Sequence, residues 1–149
     1  MGGYAGKILE IDLSADGISK VNTDSFPIHD YVGGKGLGAY ILQSELEVNV
    51  DPLSPRNILM FLTGPLNGIC PSTKMCVVGK SPLTGTFDDS YVGGHIASEL
   101  KYAGYDGIIV RGRKDEPAYI RISDEAVEIE DAKETISSTN RHIIADYCF

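Results

Sequence analysis

The chain has 149 residues, of which 42% are hydrophobic and 23% are charged, and these proportions are ordinary for one soluble globular domain. Its net charge of −8 opposes non-specific binding to nucleic acid, which requires a basic surface. No run approaches the roughly 18 apolar residues of a membrane-spanning helix. The first residues lack the basic and apolar segments of a signal peptide, so we expect a cytoplasmic protein with no nucleic-acid or membrane partner.

Hydrophobic periodicity predicts the elements of the first half of the chain. Residues 7–13 alternate apolar and polar side chains, which is typical of a half-buried strand, and an Asp-Gly turn leads to a second strand over 18–21. A glycine-rich stretch begins a segment over 31–46 that ends as a helix with one apolar face. Residues 58–63 form a continuous apolar run, which predicts a strand buried on both faces.

The second half of the chain predicts a mixture of helix and strand. Residues 94–102 have a helical pattern and are followed by a glycine-containing stop. An apolar strand is expected over 107–110. Alternation predicts two further strands, over 118–122 and 127–129, joined by a polar turn. The polar tail is expected to begin a helix at Ser137 or Ser138.

Between these halves lies the central segment, residues 64–94, which is rich in glycine and proline. Only residues 75–78 within it favour a strand, so the remainder is predicted to be loop. A long ordered loop inside a compact domain is usually functional, and we expect it to line a site for an anionic ligand. Tyr-Val-Gly-Gly occurs at 31–34 and again at 91–94, each time before a helical pattern whose amide groups favour anions.

Two phosphate-binding motifs are excluded by their context. Residues 34–39 fit G-x-G-x-x-A, but no apolar strand precedes them as a dinucleotide site requires. Residues 79–81 end like a P-loop, but Lys74 stands where that motif needs glycine and Pro82 interrupts the helix that should follow. The adjacent Asp88 and Asp89 are interpreted as solvated turn residues rather than as cation ligands.

Cysteine and lysine residues give two further expectations. The spacing of Cys70 and Cys76 matches neither a zinc knuckle nor an iron–sulfur run, so these residues and Cys148 are expected to be buried or half-buried thiols. Three lysines lie beside flexible turns where a backbone can approach a ligand closely. They are expected either to neutralise a phosphate or polar heterocycle or to be merely solvated, and they are Lys35, Lys74 and Lys80.

Five motifs together give a specific resemblance over residues 3–131. They are Gly-Gly-Lys-Gly-Leu-Gly at 33–38, Asp-Pro-Leu-Ser-Pro at 51–55, Thr-Gly-Pro-Leu at 63–66, Lys-Ser-Pro-Leu-Thr-Gly at 80–85 and Glu-Leu-Lys-Tyr-Ala-Gly-Tyr-Asp at 99–106. In order and spacing the chain resembles the N-terminal domain of tungsten-containing aldehyde ferredoxin oxidoreductases. The resemblance implies an α+β fold with two packed β-sheets flanked by helices, and residues 1–149 as one incomplete domain that lacks its C-terminal part.

The resemblance also implies a cofactor and partners. In that family this domain forms the base of a bis-pterin cofactor that carries tungsten, with magnesium between the two pterin phosphates. Other domains supply the cysteines of a [4Fe–4S] cluster, which this chain would not ligate, and the enzyme passes electrons to ferredoxin. The implied partners are therefore the remaining domains or subunit, or a second copy of the chain, and ferredoxin through the complete enzyme.

By resemblance, five residues are candidates for cofactor binding and one for magnesium. Lys74 matches a cofactor-contacting arginine of the family, and Lys35 stands where the family usually has arginine. Tyr91 falls where an asparagine ligates magnesium, and its backbone carbonyl would be the ligand. The full set for cofactor binding is Lys35, Lys74, Lys80, Gly93 and Gly94. The implied function is the tungstopterin-binding part of an aldehyde oxidoreductase that is not catalytic alone, and the alternative is a stand-alone, cofactor-free domain that binds another partner or self-associates.

Overall fold

A six-stranded mixed β-sheet forms the centre of the computed structural model, which describes residues 2–71, 74–123 and 126–133. In chain order its strands are β1 (Lys7–Asp12), β2 (Gly17–Asn22), β3 (Leu59–Leu62), β4 (Met75–Lys80), β5 (Phe87–Val92) and β6 (Gly107–Arg111). Their spatial order is β2-β1-β6-β3-β4-β5. β1 and β6 are parallel, and every other neighbouring pair is antiparallel.

Helices and a small second sheet cover the two faces of this sheet. The helices are α1 (Ile28–Tyr31), α2 (Gly34–Glu45) and α3 (Ile96–Tyr102), and the second sheet is the hairpin of β7 (Ala118–Ser123) and β8 (Ala126–Asp131). α1 and α2 pack on one face and bury eleven residues with it: Ile8, Ile28, Leu37, Ile41, Leu42, Ile58, Met60, Leu62, Cys76, Val78 and Ile109. α3 and the hairpin contribute to the core on the other face. The result is the expected α+β fold with two packed sheets and flanking helices.

Glycine determines how closely α2 approaches the sheet. A Cβ atom on Gly38 would lie 2.7 Å from Cγ2 of Val78 on β4, well inside van der Waals contact. A Cβ on Gly36 would lie 2.7 Å from the carbonyl oxygen of Tyr31, the last residue of α1. The helix therefore includes the glycine-rich stretch instead of beginning after it, because close packing against β4 compensates for the low helix propensity of glycine.

Outside residues 64–94, every predicted strand is present, but the burial of two of these strands differs from the prediction. β1 is buried on both faces, with Ile8 in one core and Leu9 and Ile11 in the other, because it is an interior strand. The expectation of half-burial was wrong. β3 was expected to be buried on both faces, but only Met60 and Leu62 are buried, whereas Leu59 is 45% exposed and Phe61 is half-buried.

The prediction for the central segment needs the largest correction. It contains two paired strands, β4 and β5, where the sequence predicted one short strand and loop. β5 lies at the edge of the sheet, where polar side chains are tolerated because one side of the strand faces solvent. Asp88 and Asp89 are therefore strand residues and not turn residues. The predicted tail helix lies outside the described residues.

Two smaller points complete the comparison with the sequence. Cys76 is buried, as expected for a free thiol, whereas Cys70 is exposed, and Cys148 lies outside the described residues. In the described part of the chain no helix is long and apolar enough to cross a membrane.

Candidate functional site

Four segments of the chain meet at one end of the β3–β4–β5 part of the sheet. Leu62 and Tyr91 both pair with Cys76, so the end of β3, the start of β4 and the end of β5 lie side by side. The amide of Gly34 donates a hydrogen bond to the carbonyl of Thr63 at 3.0 Å, which brings the first turn of α2 to the same place. We call this region the glycine end, defined by Gly33, Gly34, Gly64, Gly93 and Gly94.

The outer rim of the glycine end is open. Met75 pairs with Val92, so Lys74 and Gly93 lie next to each other just beyond the paired strands. Both are exposed. A Cβ atom on Gly93 or Gly94 would meet no heavy atom of the described residues within 4 Å, and Gly94 has a φ of +90°, which other residues rarely adopt. The structure thus brings together Lys74, Gly93 and Gly94, three of the predicted site residues, around unfilled space.

A buried asparagine fixes the main chain of Gly64 and Lys74 at the glycine end. Asn67 is only 5% exposed, and its Oδ1 accepts a hydrogen bond from the Gly64 amide at 2.7 Å. Its Nδ2 donates to the Lys74 carbonyl at 3.2 Å. Because these two bonds link Gly64 to Lys74, they hold the main chain of Lys74 in place beside β5. Sequence reasoning missed Asn67, since nothing in the motif around it indicates two backbone partners.

Lys35 occupies the first turn of α2 and faces β5. Its Nζ lies 2.7 Å from Asp89 Oδ1 and 5.8 Å from the centre of the Phe87 ring. The hydrogen bond and charge of Asp89 raise the pKa of Lys35 above its ordinary value, so the lysine is fully charged at neutral pH. Lys35 is therefore close to the glycine end, but its charge is already balanced by a carboxylate.

Tyr91 and Cys76 are paired residues of β5 and β4 that interact with Lys35. Burial raises the pKa of the Cys76 thiol, and this outweighs the lowering effects of the Tyr91 hydrogen bond and the Lys35 charge. Cys76 is consequently a neutral thiol and not a nucleophile. Desolvation, followed by the neighbouring Cys76 and Asp89, raises the pKa of Tyr91, so its hydroxyl stays protonated. These groups can donate and accept hydrogen bonds, but none is poised for proton abstraction near neutral pH.

Lys80 is not brought together with the other predicted residues. It ends β4, about 20 Å along the strand from Lys74 at roughly 3.3 Å per residue. Its Nζ donates hydrogen bonds to the carbonyls of Val48 and Val50, each at 2.8 Å. These contacts fasten the loop that follows α2 to the far end of the sheet.

The glycine end combines exposed main chain with an exposed lysine, Lys74. Among the described residues, no group of three or more His, Cys, Asp or Glu side chains could hold a metal ion. An anion at this edge of the sheet could contact the exposed Lys74, Gly93 and Gly94. Phe87, Asp89 and Tyr91 share one face of β5 because side chains alternate along a strand. A prediction of a strand over residues 87–91 would therefore have placed Asp89 on the same face as Tyr91.

The fold defines an α+β domain with exposed main chain and an exposed lysine at one end of its sheet. The chain belongs to the family described as "Aldehyde ferredoxin oxidoreductase, N-terminal domain", whose model matches residues 8–146. The family expected from the five motifs is thereby confirmed.

Curated relatives and a solved structure agree with this assignment. The chain is 43% identical over 147 residues to a tungsten-containing aldehyde ferredoxin oxidoreductase of Pyrococcus horikoshii, covering 95% of this chain and 24% of that protein. It is 42% identical to the WOR-like subunit of an aliphatic sulfonate oxidoreductase of Pyrococcus furiosus, covering 87% of this chain and 21% of the relative. The active-site complex BamBC of benzoyl coenzyme A reductase aligns with a TM-score of 0.84 and 41% identity over 89% of this chain and 21% of the solved one. The chain thus spans about a fifth to a quarter of the length of these proteins.

Proposed function

We propose that this chain is the cofactor-cradling N-terminal part of a tungsten-dependent aldehyde:ferredoxin oxidoreductase, and that it binds a tungstopterin at its glycine end. The observation that carries this proposal is the convergence of Lys74, Gly93 and Gly94 around open space beside the start of α2. Relatives 38–43% identical to this chain are named as tungsten-containing enzymes of this kind. When bound, the cofactor would supply the redox chemistry that converts an aldehyde to a carboxylic acid.

The residues of the glycine end fit a phosphate-bearing pterin in three ways. Gly93 and Gly94 leave room for a flat ring or phosphate to contact the main chain, which a side chain would prevent. Lys74 offers a point charge to a phosphate, although it lacks the two-point fork of arginine. The backbone carbonyl of Tyr91 is the proposed ligand for magnesium, and Lys35, whose charge Asp89 balances, is proposed to donate a hydrogen bond to the cofactor.

A direct test is the content of the isolated protein. The full chain, with everything that copurifies from its native host, would be assayed for tungsten, for molybdenum and for the fluorescence of oxidised pterin. We expect tungsten and pterin in a fixed ratio. Absence of all three signals would remove the cofactor proposal and favour the alternative, a cofactor-free domain that binds another partner.

Substitution at Gly93 tests the location of the site. Gly93→Leu places a side chain in open space without a strained φ, so the fold should be unaffected while pterin is displaced. Gly17→Leu is the matched control, because a Cβ there meets only Asp12 Cβ at 3.7 Å, far from the glycine end. Equal pterin content in both variants and the wild type would contradict the placement at Gly93.

The lysine role is tested in the same way. Lys74→Ala should lower pterin content, whereas Lys114→Ala, which removes a half-buried lysine paired with Asp16, should not. Tyr91→Phe should keep magnesium and pterin, because the proposed ligand is a main-chain carbonyl. Retention of full pterin content by Lys74→Ala would contradict its assignment, and loss in Tyr91→Phe would indicate that the hydroxyl is used instead.

We further propose that the chain works in an oligomer or a complex with the remaining domains or subunit of such an enzyme, which alone would reach ferredoxin. Three apolar side chains beside the glycine end are largely exposed: Leu66 at 62%, Ile69 at 69% and Tyr102 at 69%. Exposed apolar groups this close together are often covered by a partner. A single monomeric species at micromolar concentration in light scattering would count against this proposal.

A further inference from the structure

A buried ion pair lies between α3 and β6, away from the residues proposed to touch a cofactor. Lys101 Nζ contacts the Asp106 carboxylate, and their side chains are only 7% and 6% exposed. Removing two charges from water is costly unless further hydrogen bonds satisfy both groups. The partners of the pair are therefore informative about its role.

Asp106 binds the N-terminal segment of the chain. Its two carboxylate oxygens accept hydrogen bonds from the amides of Ala5 and Gly6, both at 2.8 Å, and from the hydroxyl of Thr23 at 2.7 Å. Burial alone would raise the pKa of Asp106, but the hydrogen bonds from Lys101 and these three groups outweigh it and hold the pKa below its ordinary value. Asp106 is thus a fully satisfied carboxylate.

One arm of contacts runs from Lys101 to the residue before the glycine end. Lys101 Nζ donates to the Gly3 carbonyl at 2.7 Å and lies 5.6 Å from the centre of the Tyr4 ring. The Tyr4 hydroxyl donates in turn to the Val32 carbonyl at 2.7 Å. Val32 has a φ of +62°, and a β-branched residue keeps such a conformation only where its surroundings hold it.

A second arm runs from the Asp106 main chain to the same place. Its carbonyl accepts hydrogen bonds from the Thr63 amide at 3.0 Å and the Thr63 hydroxyl at 2.7 Å. The Thr63 carbonyl then accepts the Gly34 amide at 3.0 Å. The fit is close, because a Cβ on Gly33 would lie 2.5 Å from that same oxygen.

We propose that Lys101 and Asp106 are positioning residues for the glycine end, which fix Val32, Gly33 and Gly34, and with them Lys35, through Tyr4 and Thr63. Two routes from one buried pair converge on three consecutive residues, of which Val32 has a positive φ that a β-branched residue would not keep in an isolated turn. The functional meaning of this arrangement rests on the proposed function. Its test does not, because the test reads main-chain order in the unliganded chain, so failure of one proposal is distinguishable from failure of the other.

Amide hydrogen exchange of the full chain, followed residue by residue by NMR, is the measurement. Tyr4→Phe removes only the bond to the Val32 carbonyl, and we expect the Gly34 amide to exchange about three- to tenfold faster, the effect of one lost hydrogen bond. The Ile109 amide in β6 should be unchanged, which distinguishes local loosening from general destabilisation. Tyr102→Phe is the matched control, because it also loses a tyrosine bond to a carbonyl, that of Gly68 at 3.1 Å, outside both arms.

Variants at Lys101 test the origin of both arms. Lys101→Met should accelerate exchange at Gly34 more than Tyr4→Phe does, and Lys101→Arg, which keeps the charge, should restore most of the protection. If Lys101→Met does not fold, the Tyr4→Phe result decides. Unchanged exchange at Gly34 in Tyr4→Phe, an equal increase at Gly34 and Ile109, or the same increase in Tyr102→Phe would each overturn the proposal.

Discussion

The contact between α2 and β4 through Gly38 gives the sharpest prediction for stability. Gly38→Ala adds a methyl group 2.7 Å from Cγ2 of Val78 and 3.0 Å from its Cβ and Cγ1. Val78 is fully buried, so it cannot move into solvent to make room. The same substitution should, however, gain helix propensity, because α2 is a regular helix at this position.

The two effects oppose each other, and their magnitudes decide the sign. Replacing glycine by alanine within a helix gains about 1 kcal/mol, whereas overpacking a closed core costs about 1–3 kcal/mol. We therefore expect Gly38→Ala to lower the free energy of unfolding by about 1 kcal/mol, which corresponds to roughly 2–4 °C in melting temperature for a chain of this size. Ser44→Ala on the exposed face of α2 is the control, since it changes propensity and no packing.

A double-mutant cycle with Val78→Ala tests the cause. Alone, Val78→Ala should cost about 2–3 kcal/mol, from the lost burial of two methyl groups and the cavity that remains. In the Gly38→Ala background it should cost about 1–2 kcal/mol less, because the new methyl group fills that cavity and its clash is relieved. Urea unfolding gives all four free energies. A Gly38→Ala variant more stable than wild type, or additive effects, would refute the packing argument.

Three further predictions follow from single contacts. Lys80→Met should lower the free energy of unfolding by about 1–2 kcal/mol, because it loses two hydrogen bonds to carbonyl groups, but its pterin content should equal that of the wild type. A loss of pterin at unchanged stability would contradict this prediction. The pKa of Asp106 in the folded state lies below its ordinary value of 3.8. On acidification the unfolded chain therefore binds a proton at Asp106 at a higher pH than the folded chain does. The stabilisation from Asp106 is complete above the ordinary pKa and is lost as the pH falls through the folded-state pKa. Asp106→Asn should therefore be less stable at neutral pH but lose less on acidification below about pH 4, as measured by urea unfolding at several pH values; parallel pH curves would contradict it. Asp89→Asn should lower the pKa of Lys35 in an NMR titration, since Asp89 is what raises it, and an unchanged pKa would show another cause.

The sequence predicted most elements because their apolar residues alternate or recur regularly. β1, β3 and β6 are rich in isoleucine and leucine, and their extents follow from those residues. β5 was missed because Phe-Asp-Asp-Ser-Tyr-Val resembles a polar loop, and only its pairing with β4 at the sheet edge stabilises it as a strand. Local composition cannot reveal a strand whose stability comes from its neighbour.

The residues of the candidate site likewise include some that local sequence indicates and others that it does not. The candidates Lys74, Gly93 and Gly94 were expected from a family resemblance that is carried by motifs local in the chain. Asn67 was missed although its two partners, Gly64 and Lys74, are local. The Lys101–Asp106 pair was missed because its partners lie up to 101 residues away, such as the Ala5 amide bound by Asp106. Hydrogen bonds of this kind follow from strand order, which the sequence alone did not determine.

The positions of three lysines bear on how much of a cofactor site this chain could form. Lys80 is held at the far end of β4, and the charge of Lys35 is balanced by Asp89, so Lys74 is the one of the three that remains for a ligand at the glycine end. A bis-pterin cofactor has two phosphates, and one lysine with a magnesium ion neutralises only part of their charge. If the proposed cofactor binds here, the remaining charge must be balanced by other cationic groups. The glycine end is then one wall of a site whose opposite wall lies in another segment or another polypeptide.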